Sequence, residues 1–358
     1  MSDLPPSTPS PWLSPTGAAG EDKGAFAPQR SPAITELKVR DAGLATALGL
    51  VMQTLPYALA RFAVLMAASI VTIIWLGIAF GGAAFLGAHV AHVFGLAWIV
   101  ITLGCFGFAW WGLVRYALHL ISCGHVAVLT ELITKGQIGN GSESQFAYGR
   151  AVVIKRIGQE SLLYGLNMTI RGIINSFHRT LDWFAEMLPI PGLESLANLA
   201  TIIMRAATAY LDKVIFSYSL TRQDRDAWTA AREGLIYYGQ NAKPILKTSV
   251  WVVVLDRVLT VLLWLVLLAP AAAITVALPH SMRESGGLVT LIIAALLAGS
   301  LRAAFMKPVF LTMIMIRFHT CIENQAVDPV WDARLSEISG AFANLGPQLR
   351  GGMGVRSF

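Results

Sequence analysis

The chain has 358 residues, of which 55% are hydrophobic and only 13% charged, with a mean hydropathy of +0.60. Average soluble domains carry about 25% charged residues, so this composition sets the chain outside the soluble class. The net charge of +6 does not mark a nucleic-acid partner, because the basic residues follow a membrane topology and form no patch of their own.

Residues 1–34 are rich in Pro, Ser and Gly, with Pro5, Pro6, Pro9, Pro11, Pro15, Pro28 and Pro32 among them, and hold no apolar signal-peptide core. They read as a disordered arm. Two apolar stretches follow, residues 62–90 and 96–121, and two more lie at 258–279 and 288–306. A run of about 20 apolar residues crosses the hydrocarbon core as a helix, and only helices or closed barrels satisfy their backbone there. The predicted fold is all-α and polytopic, with four transmembrane helices in two hairpins. Residues 35–122 form the first hairpin with its entry segment, 123–247 a cytoplasmic amphipathic-helix domain, 248–322 the second hairpin, and 323–358 a tail with one short amphipathic helix.

Charge orients this arrangement. The link between the first two helices has no Lys or Arg, and the link between the last two has only Arg283, beside Glu284. The midsegment carries Lys135, Arg150, Lys155, Arg156, Arg171, Arg179, Arg205, Lys213, Arg222, Arg225, Arg232, Lys243 and Lys247. Lys and Arg favour cytoplasmic loops, so both termini and the midsegment are expected inside the plasma membrane. The Ala, Gly and Arg content points to a bacterial inner membrane. Two N-glycosylation patterns, at Asn140 and Asn167, fall on the cytoplasmic side and read as chance matches.

Within the midsegment, Leu163, Leu166, Ile170, Ile173, Ile174, Phe177, Leu181, Phe184 and Leu188 recur at helical spacing. Pro189, Pro191 and Gly192 stop that helix. A second helix is predicted over 193–220, and a third from about Ala227 with Trp228, Ala231, Leu235 and Tyr238 inward, before a break at Gly239 and Asn241. These helices either lie in the inner interface or form a bundle over the cytoplasmic ends of the hairpins. In the tail, Asp328 suits an N-cap and Pro329 the first turn. Trp331, Leu335, Ile338, Phe342 and Leu345 form one stripe.

Ionisable groups near the membrane mark the candidate site. Asp256 and Arg257 stand where the third membrane helix enters, and Arg302 and Lys307 at the matching end of the fourth. Asp256 is the sole acid among them, and pairs with either Lys307 or Arg302. The group is either a static interfacial ion pair or a polar station on a solute path. Pro308 is expected to kink the fourth helix. Trp110 and Trp111, with Trp75, Trp98 and Trp264, offer aromatic faces that hold quaternary ammonium groups when they converge, and otherwise anchor or pack. His89 and His92 lack a third metal ligand, and Gly81 and Gly82 permit close helix contact. Cys105, Cys123 and Cys321 form no pair and read as reduced. No phosphate-binding loop, nucleophile elbow, zinc motif or dinucleotide fingerprint occurs. No cofactor or metal is therefore expected.

The segment Tyr237-Tyr238-Gly239-Gln240-Asn241, then Val254-Leu255-Asp256-Arg257-Val258, and the exit through residues 310–316 into a short polar tail resemble the C-terminal part of the choline transporter-like family. The resemblance spans about residues 112–329. It departs from the family in the spacing between Gly239 and Asp256, in having four membrane helices where the family has about ten, and in lacking a large extracellular loop. It implies a permease for an organic cation or lipid-like solute, without assigning substrate residues. The alternative is a non-enzymatic scaffold whose cytoplasmic helices bind a partner protein or the inner leaflet. A lipid-modifying enzyme ranks third. Four helices are few for a monomeric carrier, so transport implies a homo-oligomer in the lipid bilayer.

Overall fold

A computed structural model of the protein describes residues 36–139, 141, 143–159, 206, 208–222, 224–225 and 227–343. The predicted arm at 1–34, the stripe from Leu163 to Leu188 with its proline stop, most of the helix over 193–220, and the last residues of the tail lie outside the described residues. Among those described, the chain is all-helical, with four helices long and apolar enough to span a membrane.

Helix α1 (Leu44–Gln53) meets α2 (Leu55–His89) at Thr54. Pro56 fits this break because the first turn of a helix leaves its donors unused. A short link leads into α3 (His92–Lys135), which ends where Gly136 turns left-handed at φ +76° and its N–H reaches the Glu131 and Leu132 carbonyls. Then come α4 (Gln145–Gln159), α5 (Leu211–Thr221), α6 (Ala227–Gln240) and α7 (Ala242–Ala277). The fourth membrane segment is composite: a 3-10 turn (His280–Met282), α8 (Arg283–Leu301), a π turn (Arg302–Met306) and α9 (Lys307–Ile322). Helices α10 (Pro329–Ile338) and α11 (Gly340–Ala343) close the described chain.

The four membrane segments hold 35, 44, 36 and 43 residues. At about 1.5 Å per residue, α3 alone is ~66 Å long, about twice the ~30 Å hydrocarbon core. The surplus lies at the ends away from the hairpin turns, and builds a protein core there. That core joins α1, residues 126–133 of α3, α5, α6, the start of α7, α9 and α10. Its middle is α9, where twelve of sixteen residues are buried, and which packs on α1, α3, α5 and α7. Tyr218, Tyr237, Phe310, Phe318 and Phe342 are sealed in it. Each large apolar side chain so buried contributes about 1.5–3 kcal/mol.

The spans themselves pack thinly. Only 11%, 11%, 6% and 22% of their most apolar windows is buried in the isolated chain, which leaves the remainder for lipid. The residues buried along them are mostly small: Ala68, Ala79, Thr102, Ala271, Ala294, Ala298, Ser300 and Ala304. Small side chains let helix backbones approach where lipid offers no hydrophobic drive. The Trp98 indole occupies the space beside Gly82, and a Cβ on Gly95 would lie 2.7 Å from the Ala83 carbonyl oxygen. Gly81 faces open space and takes no part. The two hairpins meet where α2 packs on α8 and the π turn, with the Phe62 and Phe305 rings 5.9 Å apart.

One local expectation gains a detail and another needs correction. At the expected Pro308 kink, the chain widens by one residue, and the Lys307 N–H reaches the Arg302 carbonyl five residues back. A π turn of this kind absorbs the donor that proline lacks. The tail does not form one helix. Asp328 caps α10 through the Val330 N–H as expected, but Ser339 is extended and divides α10 from α11.

Candidate functional site

The candidate site lies where the second hairpin enters the core. Asp256 is 21 residues before the end of α7, and Arg302 is 19 residues after the start of α8. At about 1.5 Å per residue both stand ~30 Å from the hairpin end, the thickness of the hydrocarbon layer. Arg302 grips Asp256 with both arms: Nε donates to Oδ1 at 3.0 Å and Nη2 to Oδ2 at 2.5 Å. Of the two partners open to Asp256 in the sequence, the structure selects Arg302. Their side chains are 37% and 21% exposed, so the pair sits at a boundary and is not sealed.

Lys307, one turn further on, is exposed, as is Arg257. Neither pairs with Asp256. Arg257 is adjacent to Asp256 in a helix, where neighbouring side chains diverge. Around the pair the fold gathers groups that lie far apart in sequence. Lys307 is within electrostatic reach of Arg302, Arg61 of α2, Lys213 of α5 and Asp256. Tyr210, just before α5, feels Asp256, Arg302 and Arg61. Burial pushes its phenol up to about 12, with Asp256 adding to the effect, so it remains a neutral hydroxyl. Lys213 leans on Asp212 at 3.2 Å. Sequence reading placed Lys213 among the topology charges; its apposition, and that of Arg61, to the hairpin charges depends on the fold.

The tryptophans occupy another place. Trp75 of α2 stacks on Phe106 at 5.1 Å, and Phe106 on Trp110 at 5.2 Å, both within the first hairpin. The Trp75 indole donates to the Thr102 carbonyl and the Trp98 indole to that of Ile78. This is a ladder along two helices, and a cage needs rings facing one another across a gap. The side chain of Trp111 lies outside the described residues. His89 turns back on the Phe85 carbonyl, and among the described residues no group of three His, Cys, Asp or Glu is placed to hold a metal.

The sequence reading missed the polar interior of the core. Glu233, fully buried on α6, accepts from the Tyr218 hydroxyl at 3.0 Å and faces Arg222 at 3.4 Å and Arg225 at 4.0 Å. Arg222 also binds Asp224. Burial, then Glu233, raise the Tyr218 phenol well above its ordinary range. Arg232 ties the tail to α6 by bonding Asp332 and the Phe342 carbonyl, with its guanidinium 4.5 Å from the Phe342 ring. The one available signal was Glu233, a lone acid inside the apolar stripe of α6.

A second buried line runs from α3 through α5 to α9. Thr130 Oγ1 lies 2.7 Å from Ser217 Oγ, and Ser217 Oγ lies 2.8 Å from His319 Nε2. Thr130 donates to the Val126 carbonyl. Ser217 then donates to Thr130, and His319 Nε2–H to Ser217. This direction leaves Nδ1, which has no partner, as a bare lone pair. The reverse would bury an unpaired N–H, the costlier defect. A Ser beside a His invites comparison with a nucleophilic pair. Here both are sealed at 0% exposure and no acid orients the imidazole, so the line serves packing and register.

The residues that carried the family resemblance have a structural task of their own. The Tyr237 hydroxyl donates to the Gln325 carbonyl, Gln240 bonds Ala326 and Asp328, and Asn241 bonds the Gln325 side chain at 2.6 Å. A Cβ on Gly239 would press the Trp331 ring at 3.1 Å. Together they fasten the connection after α9 onto α6. Comparison with known proteins finds no family model, no curated protein and no solved structure that matches this chain.

Proposed function

We propose that this integral membrane protein is a non-enzymatic organiser: four spans anchor a cytoplasmic helical core, which engages a protein partner or the inner leaflet. The observation that carries this reading is the division of packing. Large side chains and buried polar networks gather in the core, while the spans bury mainly small residues. Several hydroxyls in the spans bond their own helix: Ser69 to Leu65, Thr72 to Ala68, Thr275 to Ala271 and Thr290 to Gly286, whereas the Thr260 hydroxyl on α7 is buried without a partner among the described residues. The four closed hydroxyls offer a solute no polar step. In this reading both termini face the cytoplasm of a bacterial inner membrane, in keeping with the charge asymmetry.

The second reading, a choline transporter-like permease for an organic cation or lipid-like solute, rests on Asp256 at the membrane boundary. It requires a homo-oligomer to enclose a path. Uptake of labelled choline and related amines into liposomes separates the two. The organiser gives no uptake above empty liposomes. Uptake that Asp256→Asn abolishes without lowering the thermal midpoint would replace the organiser by the permease. Reporter fusions at Ser142, Gly286 and Phe358 should report inside, outside and inside; an outside signal at Ser142 would overturn both readings.

A further inference from the structure

We propose that Arg61, Lys213, Arg302 and Lys307 form a binding site for the phosphate group of an anionic phospholipid in the leaflet next to the core. The site is independent of whether the protein organises or transports.

Three separate elements supply these cations: α2, α5 and the fourth membrane segment. Two carboxylates accompany them, and both are engaged, Asp256 by Arg302 and Asp212 by Lys213. Arg61 and Lys307 are left with no hydrogen bond or ion pair to any described residue, although they share the electrostatic environment of the others. The group thus has a surplus of two positive charges. Folding them together against repulsion calls for an anion from outside the described chain.

Depth identifies the source of that anion. Lys307 is 24 residues beyond the start of α8, and Arg61 is 28 residues before the end of α2. At about 1.5 Å per residue these are ~36 and ~42 Å from the hairpin end. A bilayer is ~30 Å across its hydrocarbon and ~40–45 Å with both headgroup layers, so, counted as for the Asp256–Arg302 pair, both cations lie beyond the hydrocarbon boundary, Lys307 within the headgroup layer and Arg61 at its outer rim, next to the lipid phosphates. Basic groups between membrane helices on that side are suited to anionic headgroups. The chemistry also fits: Arg61 is half-buried, with a planar guanidinium matched to two phosphate oxygens, and Lys307 is an exposed, mobile point charge. Tyr210, kept protonated, adds a neutral hydroxyl to the same group.

The test uses the full-length protein in a neutral detergent, followed by native mass spectrometry and thermal melting. The additives are phosphatidylglycerol, phosphatidic acid, phosphatidylcholine and inorganic phosphate. The two anionic lipids should remain bound and raise the melting midpoint, whereas phosphatidylcholine should not. Lys307→Gln and Arg61→Gln should each weaken anionic-lipid binding about fivefold, and Lys243→Gln, at an exposed position near the start of α7 and outside the group, should leave it unchanged. Should Arg61→Gln melt early without lipid, Lys307→Gln, at an exposed position, still decides. Equal stabilisation by phosphatidylcholine, or an undiminished response in Lys307→Gln, would overturn the proposal. Inorganic phosphate displacing the lipid at equal concentration would overturn the lipid as source.

Discussion

The two halves of the fourth membrane segment, α8 and α9, are both apolar and run on through a single π turn, yet they live in different solvents. Helix α8 buries three residues, Ala294, Ala298 and Ser300. Helix α9 buries twelve, Phe310 and Phe318 among them. In α8 the apolar side chains meet lipid, which is as apolar as they are, so helix contact rests on small residues and close approach. In α9 the neighbours are other helices, and exclusion from water drives the packing. The same residue type therefore carries different weight on either side of the π turn, and Arg302 and Asp256 stand at the changeover.

The sharpest way to break this comparison is to make one substitution in both regions. Phe318→Ala, in the core, should cost about 3–5 kcal/mol through lost burial and a cavity, read by denaturant or thermal unfolding in detergent. Phe108→Ala removes a ring that is 82% exposed on α3, and should change stability by less than about 0.5 kcal/mol. Similar losses at the two positions would mean that an unseen partner covers the membrane face.

Arg222→Leu probes the polar part of the core. It strips Glu233 of its nearest cation and should cost about 3 kcal/mol, because a buried carboxylate would lose its counter-charge. Adding Glu233→Gln should recover much of that loss; a double variant no better than Arg222→Leu alone would show that the guanidinium matters for packing only.

At the boundary the effect should shrink. Asp256→Asn should cost about 1 kcal/mol, since a partly exposed pair is screened. The swap of Asp256→Arg with Arg302→Asp should restore part of it. A loss as large as that of Arg222→Leu would place Asp256 inside the core and not at its rim.

The smallest effect concerns the entry segment before α1. Glu323 accepts from the Leu37 N–H and from Arg40. The Arg40 hydrogen bond holds the Glu323 carboxyl below its ordinary range. A carboxylate lowered in the folded state stabilises above its unfolded value, about 4.3, and that contribution fades as the pH falls through the folded value. A spin label at Lys38 should accordingly gain mobility on acidification below about pH 4, while core helices keep their order. Arg40→Gln should loosen the label already at neutral pH; a label indifferent to both changes would deny the strap.

Much of this was legible in the chain. Apolar runs of sufficient length fixed the number of spans, since the hydrocarbon layer sets a minimum that few other structures need. Asp328 and Pro329 announced the start of α10, because capping is local chemistry. The residues of the candidate pair were legible too, as ionisable groups at equal depth. The stretch from Val309 to Ile316 was less so: an apolar run looks alike whether lipid or protein receives it, and the second hairpin was accordingly expected to run on to residue 322.

By itself, then, the sequence determined that this chain is helical and membrane-embedded, through hydrophobic length, and where α10 begins, through its cap. Only the tertiary structure decided that α9 is the centre of a protein core, that Asp256 takes Arg302 and not Lys307, and that Arg61 and Lys213 join the charges of the second hairpin. Those choices depend on which helices meet. The apposition of residues as distant as Arg61 and Lys307 leaves no periodicity or spacing in the chain for a reader to find.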